Sequence, residues 1–194
     1  MCWKIKGVYK ECPRFENDEY LIRYVSLDDS SDLLKVYSDK KAVALFNSDN
    51  CGGDTFYYTT EEKMKEVIGY WHWEYEREGF VRWSIIDKVK GETIGTIEIF
   101  NRKADDYFNN CGLVRLDLRS DYEKTDLIIN ILSLIIDSTY KMFGCDKIAT
   151  KAVEKARERI EALKKLGFML SDKNLIGHNG EIFSDYYVII KNKV

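Results

Sequence analysis

The chain has 194 residues, of which 45% are hydrophobic and 32% are charged, and its formal net charge is -3. This composition is typical of a globular protein, and the length favours one domain, which we expect to span residues 1–194 with an N-terminal extension over 1–19. Acidic and basic residues are interspersed, so no basic surface suited to nucleic acid is indicated. No apolar run approaches the roughly eighteen residues of a transmembrane helix, and we expect no membrane partner.

The cysteines and histidines indicate neither disulfides nor a metal site. The five cysteines are odd in number and widely spaced, without a CxxC pair, and the two histidines show no metal-ligand spacing. The first twenty residues carry charges throughout, unlike a signal peptide. We therefore expect a cytoplasmic protein with reduced thiols and no bound metal.

The first half of the chain predicts a strand, two helices and a loop. Residues 20–25 (YLIRYV) have strand character, and the cap residues 26–29 precede a helix. Residues 47–60 are rich in turn formers and predict a loop. The next residues have apolar side chains at helical spacing, which predicts a helix from the N-cap Thr60 to Gly79.

The next segment predicts a β-hairpin, a strand and a long helix. Residues 80–87 and 92–100 are β-rich runs joined by a short turn, and residues 112–118 form a further strand. Residues 124–143 read as one strongly apolar helix closed by Gly144. Its broad apolar surface predicts burial against a sheet.

The last fifty residues alternate between strand and helix patterns. Residues 147–153 predict a strand, 154–166 a helix ending at Gly167, and 183–190 a final strand. The whole series predicts a mixed sheet with helices packed on it.

Three segments carry a resemblance to a known family. They are YLIRYVSLDDSSDLLKVYSD, WSIIDKVKGETIGTIEIFN, and FGCDKIATKAVEKARERIEALKKLGFMLSD with its Leu166-Gly167-Phe168 signature. Together they resemble the GNAT acetyltransferase superfamily, RimJ/RimL-like subgroup, over residues 14–192. The resemblance implies an α/β (α+β) GNAT fold with a mixed, mostly antiparallel sheet of about six to seven strands and about four flanking helices.

The resemblance also implies acetyl-CoA as co-substrate. Its pantetheine would pair with the strand at Leu116 and Leu118, and its pyrophosphate would rest on the N-terminus of the next helix. The family loop Q/R-x-x-G-x-G/A aligns with the following residues: Glu123, Lys124, Thr125, Asp126, Leu127 and Ile128. Lys124 and Asp126 replace glycines. The carboxylates of Glu123 and Asp126 would repel phosphate, Asp126 could cap the helix, and Lys124 could attract phosphate.

Two carboxylates are candidates for the base that deprotonates an amine in direct acetyl transfer. Asp117 lies on the strand beside the expected cleft, and Glu98 lies on the neighbouring hairpin strand. Strand alternation alone would instead make Asp117 an ordinary solvent-facing residue and Glu98 an ordinary strand residue. The family positions for an Asn and a Tyr general acid hold Ala156 and Leu163 here.

Other side chains have both functional and structural interpretations. Trp71, His72 and Trp73 could shape an acceptor pocket, although aromatic residues at this spacing are often core or partly exposed surface. Cys111 could be a nucleophile, but no histidine lies near it in sequence, which favours a packed residue.

The acceptor implied is a primary amine on a small molecule or a protein N-terminus, and the chain is expected to be a monomer or homodimer. Two alternatives remain open. One is a catalytically inactive GNAT-fold binding or regulatory module, suggested by the altered loop at Glu123–Asp126. The other is an acyltransferase with a different acyl donor.

Overall fold

The computed structural model describes residues 7–191, so residues 1–6 of the expected N-terminal extension lie outside the described residues. The helices of the described part are α1 (Ser30–Tyr37), α2 (Lys40–Val43), α3 (Glu61–Glu76), α4 (Thr125–Ser133), α5 (Ile136–Phe143) and α6 (Arg157–Lys165). Its strands are β1 (Phe15–Glu16), β2 (Tyr20–Tyr24), β3 (Val81–Asp87), β4 (Glu92–Arg102), β5 (Cys111–Leu118), β6 (Lys147–Lys151), β7 (Met169–Leu170), β8 (Leu175–Ile176), β9 (Ile182–Phe183) and β10 (Tyr186–Ile190).

Within residues 7–191 the main sheet has eight strands in the order β1-β2-β3-β4-β5-β6-β10-β7, and β8 pairs separately with β9. Every neighbouring pair in the main sheet is antiparallel except β5 and β6, which are parallel. The predicted mixed, mostly antiparallel sheet is therefore confirmed. The sheet is wider than the expected six to seven strands because two-residue strands, β1 and β7, extend its edges.

Strand alternation divides the sheet into an apolar face and a polar face. Trp83 of β3, Ile97 of β4 and Leu116 of β5 belong to one large core with the buried residues of α4, α5 and α6. A second core joins α1 and α3 around Tyr37 and Trp71. The polar side chains that alternate with the apolar ones in β3–β5 therefore lie beneath α1 and α3 rather than in water.

The helix predicted over 124–143 is divided into α4 and α5. The break has no proline or glycine; instead the N–H groups of Leu134 and Ile135 bond to the carbonyls of Ile131 and Leu132, three residues back. Such tighter bonding interrupts the α-helical ladder. Gly144 then ends α5 with a φ of 61°, as the left-handed cap requires.

Other predicted boundaries hold or shift by a few residues. Thr60 is the N-cap of α3, and its side chain accepts a hydrogen bond from the Lys63 N–H. The predicted final strand is interrupted before β10 at Asp185, whose φ is 66°. No helix within 7–191 is long and apolar enough to cross a lipid bilayer.

Candidate active site

The parallel strands β5 and β6 separate halfway along β5. Their paired residues run from Cys111 with Lys147 to Val114 with Thr150, whereas β5 continues to Leu118. Residues 115–118 pair with β4 on one side and have no paired strand among the described residues on the other. The predicted residues Leu116 and Leu118 lie on this free edge, with their side chains buried in the core.

The segment 39–51, which contains α2, crosses the gap between the separating strands. At one end, the Asp39 carboxylate accepts a 3.0 Å hydrogen bond from the backbone N–H of Ser120, just beyond β5. At the other end, the Asp49 carboxylate accepts two 2.8 Å bonds from Lys151 at the end of β6. Arg115 of β5 donates to the Asp49 carbonyl at 2.7 Å. The segment therefore fastens both strands at the point where they part.

The loop before α4 is held by a buried ion pair. Arg159 of α6 donates to both carboxylate oxygens of Glu123, at 2.7 and 2.8 Å, and both side chains are almost fully buried. A third bond runs from Arg159 to the carbonyl of Leu45 in the crossing segment at 3.3 Å. The side chain at the family's basic or amide position is thus bound to another part of the chain.

The N-terminus of α4 is bound to a carboxylate of the chain itself. The backbone N–H and the hydroxyl of Thr125 donate to Glu158 Oε2, at 2.8 and 2.5 Å. The sequence suggests Asp126 for this capping role, but Glu158 takes the role and Asp126 is exposed in the first turn. Lys124 is the exposed N-cap residue and makes no side-chain capping bond. Leu127 and Ile128 continue the first turn.

These contacts decide how well acetyl-CoA fits. The free edge of β5 suits a pantetheine arm, which can hydrogen-bond to an unpaired strand as an added strand does. The start of α4 suits a pyrophosphate poorly in this arrangement, because the Thr125 N–H already donates to Glu158 and the charge of that carboxylate would repel a phosphate. Among residues 7–191, no group of three or more His, Cys, Asp or Glu side chains is placed to hold a metal ion.

A charged network lies on the polar face of β3, β4 and β5. Arg82, Glu98 and Arg115 are direct cross-strand neighbours in register. Glu98 pairs with Arg82 through one carboxylate oxygen and with Arg115 through the other, at 2.7 Å for Arg115. Arg82 also donates to Asp117 at 2.9 Å, and its guanidinium lies 4.3 Å from the ring centroid of Trp71.

The two predicted bases are both buried in this network. The interpretation of Asp117 as solvent-facing is wrong, because α1 covers this face and the Tyr37 hydroxyl donates to Asp117 Oδ2 at 2.8 Å. Burial alone would raise the pKa of Glu98, but the charges of Arg82 and Arg115 outweigh it and hold that pKa below its usual value. Glu98 is therefore an ionised side chain at neutral pH.

Two atoms of this network have no hydrogen-bond partner. They are Arg82 Nε and Asp117 Oδ1, both fully buried within the described part of the chain. The Tyr37 hydroxyl has a pKa raised well above 10.0, first by burial and then by the charge of Asp117. It therefore acts as a proton donor in the hydrogen bond to Asp117 throughout the neutral range.

A cavity of about 620 Å³ opens above the network. Arg82, Glu98 and Arg115 line it together with the aromatic side chains of Trp71, Phe80 and Tyr186. Of the two candidate bases, Glu98 reaches the cavity and Asp117 does not. Eight of the 21 lining residues are charged, five of them basic and three acidic, so the cavity combines aromatic rings with a strongly polar wall.

The other side chains considered from sequence are placed as follows. His72 bonds through Nε2 to the carbonyl of Val25 at 2.9 Å, and Trp73 is exposed with the Arg77 guanidinium over its ring. Cys111 is fully buried, which raises its pKa to about 12. Its thiol is therefore protonated and unsuited to nucleophilic attack.

Sequence reasoning missed Arg82 and Arg115. A signal was present: VRWSI, GTIEI and VRLDL each place two polar residues two positions apart among apolar ones. Polar residues with this spacing share one face of a strand, so three adjacent strands could have been aligned as one polar face. Glu158 and Arg159 gave no comparable signal, since helix α6 carries charges on most of its surface.

Comparisons with known proteins agree with the fold. The family model for the acetyltransferase (GNAT) domain matches residues 20–169, about three quarters of the chain. No curated protein matches.

Solved structures of similar fold include the ribosomal-protein-S5-alanine acetyltransferase of Vibrio fischeri, with 18% identity, a TM-score of 0.67, and coverage of 92% of this chain and 96% of that one. RimL, a ribosomal L7/L12 alpha-N-protein acetyltransferase in complex with coenzyme A, has 12% identity, a TM-score of 0.68, and coverage of 92% and 98%. Mycobacterium smegmatis RimJ in complex with CoA-disulfide has 14% identity, a TM-score of 0.66, and coverage of 88% and 81%.

At these sequence identities the solved structures support the fold alone, whereas the family model supports membership of the family. The family match covers the antiparallel hairpin β3–β4 and the separating parallel strands β5 and β6, so the fold and the family model agree. The chain belongs to the GNAT acetyltransferase family.

Proposed function

We propose that the protein is a cytoplasmic N-acetyltransferase that transfers an acetyl group from a thioester, acetyl-CoA in this family, directly to a primary amine. One observation carries the proposal: the free edge of β5 begins where the cavity lies. The paired part of β5 and β6 ends at Val114 and Thr150, and the side chain of the next residue, Arg115, lines the cavity. A thioester arm along this edge and an amine in the cavity would therefore meet at the same point.

The charged network would position the amine rather than remove its proton. Glu98 is ionised and held between Arg82 and Arg115, so its carboxylate is fixed in the cavity wall and its charge is matched by two guanidinium groups. A carboxylate with a lowered pKa is a weak base, but its oxygens can still accept a hydrogen bond from an amine. The amine then attacks in its neutral form, having given its ammonium proton to solvent, and its second proton leaves with the thiol of the donor. Asp117, which bonds Arg82 from below, is a positioning residue in this proposal.

The acceptor we favour is a protein N-terminus. The solved structures named as ribosomal-protein acetyltransferases support this class of acceptor at the level of fold resemblance. A cavity of about 620 Å³ with aromatic walls has room for the first residues of a peptide.

The test is acetyl transfer measured by mass spectrometry. The protein is incubated with an acetyl thioester and a panel of N-terminal peptides and small amines, beside a Glu98→Gln variant whose folding is checked by circular dichroism. We expect one acetyl group on at least one peptide amine and a much lower rate with the variant. Transfer to none of the amines from any thioester would contradict the proposal.

A second candidate is a GNAT-fold binding module without catalysis. The supporting observation is that the start of α4 is already occupied. Glu158 accepts its Thr125 N–H, and Arg159 is paired with Glu123, so both contacts disfavour binding of a pyrophosphate. The two candidates differ in one measurable property, because only the enzyme modifies an amine.

A further inference from the structure

The start of α4 bears an unusual concentration of carboxylates. Glu123 precedes the helix, Asp126 lies in its first turn, and Glu158 reaches it from α6. A helix N-terminus exposes N–H groups with partial positive charge and is a general anion site. Here the anion already present is a side chain of the chain itself.

Glu158 makes the hydrogen bonds at the start of α4 that a phosphate oxygen could make. One of its oxygens accepts both the Thr125 N–H at 2.8 Å and the Thr125 hydroxyl at 2.5 Å. These two bonds, first the hydroxyl and then the N–H, lower the pKa of Glu158, so the carboxylate is charged at neutral pH. A phosphate group brought to this N–H would therefore meet both an occupied donor and a negative charge.

Two basic side chains lie at the loop. Lys124 is exposed at the N-cap, where its charge interacts with that of Glu158, and Arg159 is engaged by other groups of the chain. Arg159 donates hydrogen bonds to Glu123 and to the carbonyl of Leu45, and it is almost fully buried. Its charge is matched by a carboxylate at hydrogen-bond distance, so little of it remains to attract a phosphate. By contrast, the free edge of β5 at residues 115–118 has backbone groups without a strand partner on the β6 side.

We infer that Glu158 occupies the seat of the donor's diphosphate, and that this chain recognises its thioester donor through the pantetheine arm, with little contribution from the nucleotide. The inference rests on the proposed function, and it names the part of the donor that determines specificity. An acyl-pantetheine group, free or attached to a larger carrier, is the chemical class of donor that the site suits.

The test is a calorimetric titration with CoA and, separately, with pantetheine. Three proteins are compared: the wild type, Glu158→Gln, and the matched control Glu161→Gln. Glu161 is an exposed carboxylate one turn along from the seat on the same helix, where it pairs with Lys165. The glutamine keeps the size and an acceptor oxygen while removing the charge.

We expect the wild type to bind CoA and pantetheine with dissociation constants within about threefold of each other. Glu158→Gln should bind CoA about tenfold more tightly than the wild type and pantetheine with unchanged affinity. The Glu161→Gln control should behave as the wild type. Acetyl-pantetheine and acetyl-CoA should then serve the wild type as donors with similar kcat/KM.

Other outcomes separate this inference from the proposed function. Wild-type binding of CoA at least about tenfold tighter than pantetheine, with no change in Glu158→Gln, would overturn the inference and leave the acetyltransferase standing. Binding of both ligands in the expected ratio without acetylation of any amine would remove the proposed function and leave only the exclusion of the diphosphate by Glu158. Binding of neither ligand by any of the three proteins would remove both.

Discussion

Replacing Arg82 with methionine tests whether the buried charges of the polar face are held by this one side chain. Arg82 bonds Glu98, Asp117 and the Tyr37 hydroxyl. Methionine has a similar length and fills the apolar part of the space, but it donates no hydrogen bond. The variant therefore leaves two buried carboxylates with fewer partners.

The expected loss of stability depends on the hydrogen bonds that each carboxylate retains in the variant. Glu98 retains its 2.7 Å bond from Arg115, and Asp117 retains its 2.8 Å bond from Tyr37. Removing one partner of a buried pair costs about 3–5 kcal/mol, and we expect the lower end, about 3 kcal/mol, because each carboxylate keeps one donor. For a chain of this size, that loss lowers Tm by roughly 6–12 °C.

The assay is urea unfolding followed by tryptophan fluorescence and circular dichroism. The matched control is Arg14→Met, whose exposed guanidinium pairs with the exposed carboxylate of Glu16; it should cost less than about 1 kcal/mol. Adding Asp117→Asn to Arg82→Met should recover part of the loss, since it removes one uncompensated charge. An Arg82→Met protein within about 1 kcal/mol of the wild type would refute the reasoning.

Three further predictions concern other parts of the site. Because the pKa of Glu98 is lower in the folded chain than the usual 4.5, the stability it contributes is present above pH 4.5 and is lost as the pH falls through the folded value; urea midpoints measured from pH 7 down to pH 3 should decline, and less so in Glu98→Gln. Gly95→Ala should cost about 1–3 kcal/mol in the same assay, because its Cβ would lie 2.2 Å from the Asp117 carbonyl oxygen; an unchanged midpoint would contradict that contact. Cys111, with a pKa of about 12, should stay unmodified by iodoacetamide at pH 8 in the folded protein, and rapid labelling seen by peptide mass spectrometry would count against its burial.

Local patterns were enough to predict most of the fold. The hairpin β3–β4 follows from two β-rich runs with a turn between them, and α3 begins at Thr60 because a threonine there caps the helix N-terminus. The division between α4 and α5 was missed, since a helix can tighten without a glycine or proline to mark the place.

The candidate site was only partly predictable. Alternation correctly places Glu98 and Asp117 on one face of the sheet, but it cannot say whether helices cover that face. The burial of Asp117 depends on α1, whose Tyr37 lies eighty positions away in sequence. Likewise, Glu158 sits on an exposed helix surface with its partner Thr125 thirty-three positions earlier, so only tertiary structure brings the pair together.

The short parallel pairing of β5 with β6 has a mechanical consequence. It joins an antiparallel block, β1 to β5, to a second block, β6 with β10 and β7, through four residue pairs, whereas β4 and β5 share eight. Under a force that pulls the two blocks apart within the plane of the sheet, this junction should rupture first, because it has fewer residue pairs than any other interface between strands longer than two residues. A ligand arm bonded along residues 115–118 would lie beside that junction, so pulling experiments on single molecules should register its binding as a higher rupture force.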